Sequence, residues 1–136
     1  MEKLITKTKN LLNIAKEEKK KLFEDVKKGK TAHTILFPPQ SYEKILNAKK
    51  EFENELNKVL QNDIAYKDRE KFLKIYHSEI DTHLVYMCAA MNLYKNVSNK
   101  EMKENINQDY QNLKLSVKKL TKKLKKYIEN DKKKDK

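Results

Sequence analysis

Apolar residues recur along this chain at alternating steps of three and four, the period of one face of a helix. Leu4, Thr8, Leu11, Ala15, Leu22 and Val26, with Ile5 and Leu12 beside them, predict a first helix over about 2–28. Gly29 follows the last apolar position and reads as the C-cap, where a positive φ carries no Cβ penalty. Residues 30–40 contain Pro38-Pro39, which no helix runs through, and form a connector. Its Ile35, Leu36 and Phe37 are expected to lie against the rest of the chain.

A second stripe, Tyr42, Ile45, Phe52, Leu56 and Val59, predicts a helix over about 41–61 with Ser41 as its N-cap. A third, Phe72, Leu73, Tyr76, Ile80, Leu84, Met87, Met91 and Tyr94, predicts one over about 64–96. Between them Asn62-Asp63 either ends one helix and caps the next or is passed by a single continuous helix, since neither Gly nor Pro stands there. The fourth begins at Ser98-Asn99-Lys100-Glu101, which has the S-x-x-E form of a capping box. From Ile106 it steps through Tyr110, Leu113, Val117, Leu120, Leu124 and Tyr127, a heptad seam that predicts a helix over about 98–129.

Each helix owns a narrow apolar stripe and must bury it against the others. The expected fold is therefore all-α: an antiparallel four-helix bundle with coiled-coil-like heptad packing, one domain over 1–130 with a basic, frayed tail at 131–136. Residues 84–94, Leu-Val-Tyr-Met-Cys-Ala-Ala-Met-Asn-Leu-Tyr, are apolar nearly all round. Such a stretch needs cover on every side. Either the connector covers it, or Leu84, Met87, Cys88, Met91 and Tyr94 form an interface with a partner protein or a second copy.

Composition narrows the classes further. One Gly in 136 residues argues against turn-rich sheet folds and Gly-rich phosphate cradles, and one Cys argues against disulfide frameworks and multi-cysteine zinc sites. The most apolar window is about eleven residues long, short of the ~20 that span a bilayer. The N-terminal Met-Glu-Lys-Leu-Ile-Thr-Lys has no apolar run of signal-peptide length, so a cytoplasmic location is expected.

The net charge is +12. Residues 2–30 contribute +5 and residues 98–136 contribute +7, while the two middle helices are neutral. Between Tyr110 and Ile128 there is no acid, yet Lys114, Lys118, Lys119, Lys122, Lys123, Lys125 and Lys126 are present. This run suits phosphate groups, with Tyr110 and Tyr127 available to stack bases. Arg69 is the only arginine. Base-edge readout leans on the guanidinium fork, so any nucleic-acid binding is expected to ignore sequence.

No residue set spells out a reaction. His77, Glu79, Asp81 and His83 offer two i,i+4 pairs, but the pairs point in different directions, and no metal site is expected. Arg69 and His77 invite comparison with the Arg/His pair of HEPN-type helical ribonucleases. Seven residues intervene here where that pattern has four to six. Lys28-Gly29-Lys30-Thr31 imitates the end of a phosphate-binding loop, but Glu24 stands where its first Gly is required and no strand precedes it. Cys88 reads as a packing thiol. The expectation is a small non-enzymatic interaction or scaffold protein, without cofactor or small-molecule substrate, that self-associates or binds a partner protein through helix faces. The alternative is a sequence-nonspecific RNA- or DNA-backbone binder using the lysines of the first and last helices.

Overall fold

A computed structural model describes residues 1–27, 40–96 and 99–134, with side chains described for 1–27, 43–94 and 99–130. The described residues form an all-helical bundle, and no strand occurs among them. Helix α1 is Glu2–Lys27, α2 is Gln40–Asp63 and α4 is Lys100–Lys134. Helix α3 covers residues 66–96 in three parts: a regular part Tyr66–Ile75, a wide π turn Tyr76–Asp81, and a regular part Thr82–Asn96. The connector, Gly29 and Ser98 lie outside the described residues.

The stripes read from the sequence make the core. Leu4, Leu11, Ala15 and Leu22 of α1 are buried with Ile45, Ala48, Phe52 and Leu56 of α2. The α4 seam from Ile106 to Leu124 is buried at every step. Cross-helix pairs fix the neighbours. Lys7 meets Glu51 at 3.2 Å and Glu18 meets Lys44 at 3.9 Å, joining α1 to α2. Tyr76 meets Glu53, joining α2 to α3. Phe72 meets Tyr127 edge-on and Glu79 meets Lys119, joining α3 to α4. Lys103 over Phe23 and Lys19 over Tyr110 join α1 to α4. In the three sets with two pairs, α1 with α2, α3 with α4 and α1 with α4, residue numbers rise on one helix as they fall on the other.

The π turn has a cause in the sequence. Phe72, Tyr76, Ile80 and Leu84 follow at three successive steps of four. At about 100° per residue those steps drift roughly 120° around a regular α-helix. A turn closed i→i+5 takes up one extra residue and returns all four to one face. All four are buried. The Thr82 hydroxyl donates to the His77 carbonyl five residues back at 3.0 Å, occupying a carbonyl in the wide turn.

The chain breaks between α2 and α3 at Ile64 and Ala65, two residues beyond the expected Asn62-Asp63. Ala65 has φ −60° and ψ 141°, and no side chain caps the new helix. Ile64 is buried at the corner. Arg69 reaches back from α3: Nε donates to the Ile64 carbonyl at 3.1 Å and Nη2 to the Gln61 carbonyl at 2.9 Å. A guanidinium on the last carbonyls of a helix complements its dipole as well as its unpaired acceptors. At the start of α4, Asn99 does the capping, its Oδ1 accepting the Met102 N–H at 2.8 Å. At the other end α4 runs on to Lys134, past Ile128, its last apolar residue.

Candidate functional site

The polar residues of the π turn are drawn to separate neighbours. Asp81 pairs with Lys49 of α2. Glu79 pairs with Lys119 of α4 at 3.1 Å. His77 is exposed, and its ring lies edge-on to Tyr76 at 5.0 Å. His83 is half-buried, with Nδ1 unpartnered and Asp109 in its electrostatic neighbourhood. Among the described residues no three His, Cys, Asp or Glu side chains gather as metal ligands would. Arg69 is engaged with the Gln61 and Ile64 carbonyls, while His77 lies within the π turn with its ring edge-on to Tyr76.

Tyr76 itself is fully buried and stacks on Phe52 at 5.8 Å. Its hydroxyl donates to Glu53 Oε2 at 3.2 Å. Burial and the nearby charges of Glu53 and Asp81 push the phenol well above its ordinary range, which makes it a hydrogen-bond donor rather than an acid. Cys88 is half-buried, and burial pushes its thiol up to about 11 against the opposing pull of Lys49.

The residues expected at a protein interface turn inward. Leu84, Met87, Met91 and Tyr94 are core residues, and Cys88 is half-buried against them. Period 3.6 gives this helix a second apolar face, and the exposed large side chains there are Val85, Tyr86 and Leu93. Tyr86 and Leu93 line a shallow groove of 380 Å³ between α3 and α4, together with Ala89, Ala90, Met102, Asn105, Gln108 and Asp109. No lysine lines it.

The lysine run of α4 divides between two flanks. Helix spacing places Lys114, Lys118 and Lys125 on the flank of Asn107 and Tyr110, which faces α1. Lys119, Lys123 and Lys126 share the flank facing α3, and Lys122 lies between, on the outermost line. Lys114 is half-buried and the other six are exposed. Lys119 is partly neutralised by Glu79. Tyr110 is buried under Lys19, whose Nζ lies 4.5 Å from the ring centre. Tyr127 donates to Asp68 at 2.7 Å and packs on Phe72. Tyr110 is buried and the Tyr127 hydroxyl is engaged with Asp68, so neither is set out on the surface beside the lysine run.

A different aromatic pair, half-buried Phe23 and the core residue Tyr94, lines a groove that the sequence periodicity did not reveal. Where α1 meets α4, a groove of 610 Å³ opens over Phe23 and Tyr94, whose rings meet edge-on at 5.4 Å. Lys16, Lys19, Lys20 and Lys27 of α1 and Lys103 of α4 surround it, with Glu24 the single acid. Lys103 Nζ hangs over the Phe23 ring at 5.1 Å. None of these five lysines is ion-paired among the described residues. Burial, then the charge of Lys16, holds the Lys19 ammonium below its usual range. Nearby cations without counter-charges raise the local potential and favour an anion. The signal in the sequence was Lys16, Lys19, Lys20, Phe23 and Lys27 at one-turn spacing, visible only once α4 is known to pass beside them.

No helix of the described residues is long and apolar enough to cross a membrane. No protein-family model, curated protein or solved structure matches the chain.

Proposed function

We propose that this protein acts by binding through its helix faces, as a non-enzymatic interaction protein that associates with a second copy of itself in the cytoplasm. The observation that carries the reading is the exposed pair Tyr86 and Leu93 lining the groove with Ala89, Ala90 and Met102, with Val85 exposed on the same helix. Contiguous exposed apolar surface is the usual mark of a protein contact. In a chain of net charge +12, copies repel wherever lysines face each other. This groove has no lysine in its lining, so two copies can approach there at the least electrostatic cost.

Light-scattering mass on a size-exclusion column tests this at ~50 mM and ~500 mM salt, where the screening length falls from about 14 to about 4 Å. A dimer is expected that persists or strengthens at high salt, because screening removes repulsion. The Tyr86→Glu, Leu93→Glu variant, altered only at exposed positions, is expected to be monomeric and folded. A wild-type monomer at both salts and every concentration overturns the reading.

A second reading has its own support. Helices α1 and α4 belong to the two segments that carry the chain's net positive charge, and they lie side by side. That adjacency favours binding to the nucleic-acid backbone without sequence preference, with affinity that drops steeply as salt rises. Charge reversal at Lys118 and Lys122, both exposed, is expected to weaken it.

A further inference from the structure

We propose that the α1–α4 groove is a binding site for one nucleotide unit, its base against the aromatic floor and its phosphate among the rim lysines. This deepens the nucleic-acid reading and rests on it.

The floor and rim ask for different chemistry in one ligand. Phe23 is half-buried and lines the groove, its ring edge-on to Tyr94. The Lys103 ammonium, which also lines the groove, lies over the ring 5.1 Å from its centre. A lysine over a ring is a replaceable cover: its four-carbon stem lets the ammonium swing out to a phosphate while a flat ring takes its place. The rim is cationic and the floor apolar. A simple inorganic anion would satisfy the first and leave the second wet. A fatty chain would satisfy the floor, but five unpaired ammonium groups are more than a single carboxylate needs. An aromatic base joined to a phosphate satisfies both. The groove's 610 Å³ lies within the span of ordinary small-ligand sites.

Lysines rather than arginines on the rim mean that the phosphate is held as a point charge and the base by its π face, which every base has. The expected preference is for unpaired over paired nucleotides, because a duplex keeps its bases stacked on one another. On the α1 side, Lys16 and Lys20 stand one turn apart, about 6 Å along the helix, both on the N-terminal side of Phe23, with Lys27 one turn beyond it. The Lys114, Lys118 and Lys125 flank continues the cationic track along α4.

Three probes separate the claims in fluorescence anisotropy at low salt: a labelled mixed-sequence single strand, a duplex of the same sequence, and inorganic polyphosphate as competitor. The proposal expects the single strand to bind more tightly than the duplex and to resist polyphosphate of equal charge. Phe23→Leu is expected to weaken single-strand binding about tenfold or more while leaving polyphosphate binding unchanged. The Lys16→Gln, Lys20→Gln variant, altered at exposed positions, is expected to weaken both. A mononucleotide that competes as well as its equivalent in strand identifies the free nucleotide as the ligand. Competition by the strand alone identifies an unpaired residue of a polymer. Equal binding of all three polyanions, with Phe23→Leu behaving as wild type, overturns the nucleotide site and leaves the backbone reading standing. No binding of any polyanion overturns both.

Discussion

Deleting Ser78 should leave the bundle intact, whereas inserting one alanine after it should destroy the fold. Ser78 is exposed within the π turn. Without it, the core positions of α3 from Phe72 to Tyr94 step by 4, 3, 4, 3, 4, 3, a regular heptad that an ordinary helix keeps on one face. The Thr82 hydroxyl then stands four residues beyond His77 instead of five, the usual distance for bonding back to a helix carbonyl. The ion pairs of Asp81 and Glu79 are partly exposed and worth about 0–1 kcal/mol each. The deletion is therefore expected within about 2 kcal/mol of wild type. The insertion turns everything after it by a further ~100°. Leu84, Met87, Met91 and Tyr94 leave the core, at about 1.5–3 kcal/mol each, or roughly 6–12 kcal/mol together. That matches the whole stability of an ordinary domain. Urea denaturation followed by helical circular dichroism separates the outcomes. If the deletion costs as much as the insertion, the π turn is not what phases α3, and the argument from spacing fails.

Further outcomes follow from single contacts. Arg69→Lys should cost about 2 kcal/mol in urea denaturation, because one ammonium cannot serve the Ile64 and Gln61 carbonyls as the fork does. Glu18→Leu should stabilise by about 1–2 kcal/mol, read as a higher melting temperature. Glu18 is buried with one oxygen unpartnered, and its lysine is 3.9 Å away. Iodoacetamide should alkylate Cys88 at pH 8.5 about a hundredfold more slowly in the folded than in the unfolded chain, since its thiol sits near 11 rather than ~8.5. The same raised value means that Cys88's contribution to stability is complete below about pH 8.5 and is lost as pH climbs toward 11; denaturation midpoints across that range check it.

The helices were legible because each carries its own stripe, and burial follows most of each stripe, with Val26, Leu73 and Tyr127 only half-buried. The π turn was also written in the sequence, as the 4-4-4 spacing from Phe72 to Leu84, but a list of apolar positions does not show angular drift until the steps are added. The α2–α3 corner was harder. Asn62-Asp63 has the residue types of a break, yet the corner is set by the burial of Ile64 and by a guanidinium five residues further on. The outer surface was least legible. Residues 84–94 are rich in apolar side chains on both faces, and composition alone does not say which face turns inward. The lysine run of α4 likewise read as one constellation, though a helix passing between two neighbours must divide it.

One consequence of the Arg69 clamp concerns chemistry on the protein rather than within it. Every other fixed cation of the side chains is a primary amine, because Arg69 is the sole guanidinium. Acylation neutralises amines and leaves guanidinium untouched. Exhaustive acetylation would thus invert the sign of the whole surface, from basic to acidic, while sparing the cation that holds the corner between α2 and α3. The α2–α3 corner and the net charge are carried by different functional groups, so the charge can be erased with the corner clamp intact, while the lysine pairs between helices, such as Lys7–Glu51 and Lys119–Glu79, would go with it.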